Sequence, residues 1–162
     1  MKKISFCICM MSVALVLAAC GNRSNQSAQE NEPVAETEVV EEGIPYTVAN
    51  NYFVNNTVTG DVPAKITTQE DFDRYFGAAA TMGEGGQPTA IDFSKQFVIV
   101  VAGELTEYPT TLTAKSLQQK NGQLVFTYTK EVAAESAGYS MRPLLMIVVS
   151  RDYDGEVVVE ED

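Results

Sequence analysis

The chain has 162 residues, with 22 Asp or Glu against 11 Lys or Arg, so its formal net charge is −11 at neutral pH. This acidity argues against nucleic-acid binding, because no basic surface is available to release counterions from phosphates. The chain also contains no histidine, which excludes Ser-His-Asp and Cys-His catalysis and the usual zinc sites.

The first 19 residues have the pattern of a bacterial lipoprotein signal peptide. Lys2 and Lys3 precede an apolar stretch, Ile4–Leu17, and the run Leu17–Cys20 (LAAC) resembles a lipobox. A lipobox implies cleavage before Cys20 and attachment of diacylglycerol to its sulfur. The alternative is an uncleaved transmembrane anchor, for which the apolar stretch is short.

The mature protein is therefore predicted to be held in the cell envelope by the lipid on Cys20. Gly21 follows this cysteine in place of the aspartate that signals inner-membrane retention, which favours the outer membrane; the periplasmic or external face stays open. Cys7 and Cys9 leave with the signal peptide, so the mature chain has no disulfide. The mature chain has a charge of −13, which disfavours binding to anionic lipid headgroups. The lipid on Cys20 is therefore predicted to provide the anchoring.

Residues 20–43 are predicted to form a disordered acidic tether. They are rich in Glu, Ser, Gln and Asn and poor in aromatics, so they cannot bury enough apolar surface to offset the entropy of ordering. Residues 44–162 form the predicted folded domain, long enough for one hydrophobic core. In its first part, residues 44–58 predict one or two short strands with a turn at Asn50-Asn51 or at Asn55-Asn56.

One helix is predicted to begin at residues 67–71 (TTQED). A threonine N-cap with an acidic residue three positions later is a capping-box pattern. Phe72, Tyr75 and Phe76 then fall on one helical face. Gly77 is predicted to end the helix.

Strands dominate the rest of the chain. They are predicted at 97–102, 110–118, 124–129, 144–149 and 157–159, with a hairpin turn at Asn121-Gly122. The continuous apolar runs 97–102 and 144–149 indicate strands covered on both faces. The predicted fold is mainly β, of the α+β type: a small antiparallel β-barrel or sandwich with one short helix near its start.

Three signals of ligand chemistry also have simpler interpretations. The glycine-rich residues 78–91 lack the Lys-Ser/Thr of a phosphate-binding loop and are predicted as a plain loop. Residues 152–156 (DYDGE) resemble the start of a calcium loop, but a strand follows, so a hairpin turn is predicted. Glycan chemistry would need two carboxyls across a cleft, for which the candidates are Asp71, Asp73, Asp92, Glu104 and Glu107. No cofactor, metal site or catalytic residue is predicted.

Two loops are the predicted partner-binding elements. Residues 131–143 (EVAAESAGYSMRP) separate two strong strands and contain three residue types enriched at interfaces, Tyr139, Met141 and Arg142. Residues 103–109 (GELTEYP) form the second loop, with Tyr108 as its anchor. The alternative is a mobile crossover whose Tyr139 packs in the core.

The order of features resembles the PrcB-like family of protease-complex C-terminal domains. The resemblance rests on Ile91–Gln96 (IDFSKQ) leading into a buried strand, on the hairpin 112–129, on the strand entry Arg142–Leu145 and on the aromatic helix before them. Where that family carries Gly-Gly-Tyr, this chain has Thr106–Pro109 and keeps only the tyrosine. The resemblance implies a small envelope domain that accompanies or stabilises a protease.

Two functions are thus predicted, from different classes. The first is a non-enzymatic envelope lipoprotein that binds a protein partner such as a protease, as inhibitor or stabiliser, through its loops. The alternative is a carboxylate-based protein that binds or processes envelope glycans.

Overall fold

The computed structural model describes residues 43–80, 82, 83 and 85–162. The predicted signal peptide, the lipidation site Cys20 and the predicted tether up to residue 42 lie outside these residues. Within the described part of the chain, no helix is long and apolar enough to cross a membrane.

The described residues form a mainly β structure with one short helix, as predicted. In chain order the elements are β1 (Tyr46–Val48), β2 (Tyr52–Val54), β3 (Lys65–Ile66), α1 (Gln69–Tyr75), β4 (Phe76–Ala78), β5 (Gln96–Ala102), β6 (Thr110–Lys120), β7 (Gln123–Val132), β8 (Leu144–Ser150) and β9 (Glu156–Glu161).

The strands are arranged in three sheets. A four-stranded antiparallel sheet has the order β1-β8-β5-β3, a three-stranded sheet has the order β6-β7-β9, and β2 pairs with β4 as a ribbon. Among the described residues these sheets do not close into a barrel. Of the two predicted architectures, the sandwich therefore describes the molecule.

Strands β5 and β8 are buried on both faces, which explains their uninterrupted apolar sequences. Phe97 and Ile99 of β5 pack with Leu117 and Phe126 of the three-stranded sheet. The alternate residues of β5 and β8 face a second core that includes Phe72 of the helix. The prediction of two strands covered on both faces is confirmed.

The helix begins as its sequence predicts, but Gly77 does not end it. Thr68 is the N-cap, and its hydroxyl accepts a hydrogen bond from the Asp71 backbone N–H at 3.2 Å. The helix ends at Tyr75, and Gly77 lies inside β4. A Cβ at Gly77 would lie 2.5 Å from Cζ of Phe53, so this glycine makes room for a cross-strand ring.

The predicted hairpin turn at Asn121-Gly122 is confirmed, since both residues have positive φ, 52° and 82°, as a type I′ turn requires. The turn at Asp152–Gly155 is not a hairpin. It carries the chain from β8 to the other sheet, where β9 pairs in parallel with β7. The hairpin predicted at residues 152–156 is therefore wrong, and the fold is mostly antiparallel, as predicted, with one parallel pairing among the described strands.

Both candidate asparagine turns exist. Asn51 has a φ of 64°, and its side-chain amide donates to the carbonyls of Gly85 and Gln87 at 2.6 and 2.9 Å. The Asn55 carbonyl accepts a backbone hydrogen bond from Val58 at 2.9 Å. β1 and β2 are thus two separate short strands.

Candidate functional site

The two loops singled out from the sequence lie side by side at one end of the sandwich. Residues 103–109 connect β5 to β6, and residues 133–143 connect β7 to β8. We refer to these two segments together as the paired-loop surface. The structure brings the predicted residues Tyr108, Tyr139, Met141 and Arg142 onto this one surface.

Backbone hydrogen bonds join the loops along most of their length. Thr106 and Met141 exchange two of these bonds, 2.8 and 2.7 Å long, as an antiparallel β-bridge. The other donors and acceptors are Gly103 N–H to Pro143 O at 2.9 Å, Ala137 N–H to Glu107 O at 2.9 Å and Ala133 N–H to Pro109 O at 2.8 Å. A pair of loops tied in this way has fewer conformations to lose when it binds a partner.

Turn chemistry inside each loop supports this pairing. In the first loop the Thr106 hydroxyl accepts from the Tyr108 N–H at 3.1 Å, and the Thr110 hydroxyl donates to the Tyr108 carbonyl at 2.9 Å. In the second loop Gly138 has a φ of 73°, a conformation that favours glycine. Hydrogen bonds thus hold the backbone at Tyr108, and beside Tyr139 the Gly138 N–H donates to the Ser136 hydroxyl at 3.2 Å.

Large apolar side chains on and beside this surface are exposed. Tyr139 is 61% exposed and Tyr108 is 47% exposed, so the alternative that Tyr139 packs in the core is wrong. Leu105 and Val132, at 70% and 54%, were not singled out from the sequence. Leu105 is flanked by polar residues in a loop, and that local pattern is its one sequence signal.

Arg142 has a different role from the other predicted contact residues. Its guanidinium donates to three backbone carbonyls, from Nε to Gly103 at 2.9 Å, from Nη1 to Val58 at 3.2 Å and from Nη2 to Gly60 at 3.1 Å. These bonds tie residues 58–60 to the paired loops. Arg142 is therefore an internal anchor of the surface, and Met141 beside it is half-buried.

A groove of about 480 Å³ opens next to the paired loops, between β5 of the four-stranded sheet and β6 and β7 of the three-stranded sheet. Its apolar lining includes Val101, Leu105, Leu112, Val132 and Pro143. Its polar lining includes Lys130, Glu104 and Tyr128. Its volume lies in the range of about 300–1,000 Å³ that is common for binding clefts, and its lining combines apolar and polar side chains.

Tyr128 is one of the polar residues that line this groove. Its hydroxyl donates to the Glu161 carboxylate at 3.2 Å. Burial raises the pKa of the Tyr128 phenol, and the hydrogen bond and charge of Glu161 raise it further. The phenol is therefore a neutral hydrogen-bonding group.

A second groove, of about 550 Å³, lies on the other side of Leu105. Residues 58–61, Asn55 and Arg142 line it, and Glu104 and Leu105 line both grooves. Leu105 thus stands on a ridge with a groove on each side. A ridge between two grooves offers an extended contact area.

The acids proposed for glycan chemistry do not show the environment of a general acid. Asp73, Asp92, Glu104 and Glu107 are exposed, and Asp71 is half-buried. The pKa of Asp92 is lowered, first by the Ser94 hydroxyl and then by the Ser94 backbone N–H, whereas a glycosidase acid needs a raised pKa. Among the described residues, no group of three Asp, Glu, Cys or His could hold a metal ion.

The first segment that carries the sequence resemblance, Ile91–Gln96, forms a turn. Asp92 Oδ1 accepts from the Ser94 N–H at 3.0 Å, and the Asp92 carbonyl accepts from the Lys95 and Gln96 N–H groups at 2.9 and 2.8 Å. The Phe93 ring packs against Phe72 with ring centroids 5.5 Å apart. In this chain residues 91–96 therefore lead into β5, and Phe93 packs against the helix.

Comparison with known proteins gives no match: no family model, no curated protein and no solved structure matches this chain.

Proposed function

We propose that this protein is a non-enzymatic envelope lipoprotein, anchored by lipid on Cys20, that binds a protein partner through its paired-loop surface. A protease is the first partner to test, since the resemblance of the sequence points to that class. The protein would act as its inhibitor or stabiliser.

This proposal rests on the exposed apolar side chains of the paired-loop surface, whose two loops are joined by backbone hydrogen bonds. Leu105, Tyr108 and Tyr139 stay exposed although the loops that bear them are joined by five backbone hydrogen bonds. Apolar side chains grouped on a surface commonly mark interaction sites, and tyrosine is enriched where binding energy is concentrated. Fixed loops also lower the entropy that association costs.

The position of the surface supports the same interpretation. Its loops follow β5 and precede β8, the two strands buried on both faces. Loops on a rigid scaffold are where proteins most often place binding residues. The surface is therefore held by the most buried part of the described structure.

The test is capture of partners from the native cell envelope with the full-length, lipidated chain in mild detergent. Wild-type protein is compared with Leu105→Ser/Tyr139→Ala, and Met82→Ser serves as the control, because Met82 is a fully exposed apolar residue in another loop. We expect a protein that is retained by wild type and by the control and is lost from the double variant. Equal recovery by all three, or by none, contradicts the proposal.

A further inference from the structure

The exposed acidic side chains of the paired-loop surface are not neutralised by ion pairs within the described residues. Glu104, Glu107 and Glu135 are exposed, and none of them forms an ion pair with any described residue. The positive charge in these loops belongs to Arg142, whose guanidinium already donates to three carbonyls. Lys130 is the basic side chain in the groove lining.

Charge and apolar contact coincide at one residue pair. Glu104 and Leu105 are adjacent in sequence, and both line both grooves. A partner group that enters either groove therefore meets an apolar wall beside a carboxylate. Complementary charge around an apolar contact speeds association and excludes partners of the wrong sign.

We infer that the partner presents a basic segment, in which a bulky apolar side chain enters the groove of about 480 Å³ while lysine or arginine side chains contact Glu104, Glu107 and Glu135. This inference rests on the proposed function and names the chemistry of the partner. Acidic surfaces, including a second copy of this chain, are disfavoured by the same charges.

The test uses two synthetic peptides with the same central Leu-Phe pair, one flanked by lysines and the other by glutamates. Binding to the full-length chain in detergent is measured by fluorescence anisotropy. We expect the lysine peptide to bind and the glutamate peptide not to bind, with affinity for the former falling at least about tenfold as salt rises from about 0.05 to about 0.3 M.

Two variants with the same change in charge show whether the charge effect on peptide binding comes from the paired-loop surface. Replacing Glu104, Glu107 and Glu135 by Gln is expected to weaken lysine-peptide binding about tenfold at low salt. Replacing three acids outside the surface, Glu70→Gln, Asp152→Asn and Glu156→Gln, removes the same charge and is expected to leave the affinity within about twofold. Equal effects of the two sets, equal binding of the two peptides or binding of neither overturns the inference.

Capture from the envelope separates this inference from the proposed function. If the triple Gln variant retains a partner that Leu105→Ser/Tyr139→Ala loses, at unchanged yield and salt dependence, the basic-partner inference is wrong and the binding function stands. If capture never depends on the paired loops, both are wrong. Self-association that requires Leu105, seen by analytical ultracentrifugation, would also overturn the inference.

Discussion

Thr106 and Met141 lie 35 positions apart in the sequence and exchange two backbone hydrogen bonds, of 2.8 and 2.7 Å. This bridge turns two separate connections, one after β5 and one before β8, into a single surface. The exposed tyrosines on either side of it are thereby held in a fixed relation.

Removing one of these bonds should loosen the surface without unfolding the domain. Met141→Pro deletes the N–H that donates to Thr106 O, and we expect amide hydrogen exchange in residues 103–109 to accelerate about fivefold, since one such bond contributes about 1 kcal/mol. Met141→Leu keeps the N–H and is the control. Unchanged exchange in Met141→Pro would show that the bridge does not hold the loops.

Arg142 should matter more for stability than an exposed arginine does. Arg142→Met leaves three carbonyls without their donor, and we expect a loss of about 2 kcal/mol in the free energy of unfolding, measured in urea. Arg74→Met is the control, because Arg74 is exposed and its ion pairs span 3.7 and 3.9 Å; it should cost less than about 0.5 kcal/mol. Similar losses for the two variants would contradict the anchoring role.

Gly77 and Phe53 should be energetically coupled. A Cβ at position 77 would lie 2.5 Å from the end of the Phe53 ring, so Gly77→Ala is expected to destabilise the fold by about 1–3 kcal/mol. Part of that cost should disappear in a Phe53→Ser background, where the ring is gone and only Asn55 Oδ1, 2.9 Å from the added Cβ, still crowds it. A double-mutant cycle from thermal unfolding measures the coupling, and strictly additive effects would contradict the steric explanation.

The Lys65–Asp154 ion pair predicts a pH dependence of stability. The hydrogen bond from Lys65 at 2.5 Å holds the pKa of Asp154 below its ordinary value, and the Gly155 N–H adds to this effect. A lowered folded-state pKa stabilises the protein above the unfolded pKa of about 4, and this stabilisation is lost as the pH falls through the folded value. Asp154→Asn should therefore flatten the stability curve below about pH 4.

Acid denaturation monitored by circular dichroism measures this prediction. Asp73→Asn is the control, because Asp73 is exposed and contacts Gln69 rather than a cation. An acid limb of the same steepness in wild type and Asp154→Asn would contradict the assigned role of the pair.

Local signals in the sequence predicted much of this fold. The Thr68 cap, the Asn121-Gly122 turn and the apolar runs of β5 and β8 each depend on residues close in sequence, and the structure confirms all of them. The two loops were also identifiable, since their length and aromatic content stand out between strong strands.

The remaining features depend on contacts between distant residues. β9 pairs with β7 because its valines complete the core beside Leu124 and Phe126, and a local turn pattern does not reveal which sheet a strand joins. Arg142 donates to backbone carbonyls 82 and 84 residues away. Every residue has a backbone carbonyl, so the sequence does not show which of them an arginine will contact. Gly77 is small because of Phe53 across the ribbon, a contact that the sequence order hides.

The most direct test of the central claim is site-specific photo-crosslinking in intact cells that naturally produce the protein. A benzophenone amino acid replaces Tyr139 in the full-length chain, and a second chain carries it at Phe53, another exposed aromatic residue (44%), which lies on β2. We predict a discrete crosslinked protein from position 139 that is absent from position 53. Identical crosslink patterns from the two positions, or no protein crosslink from position 139, would contradict the binding function.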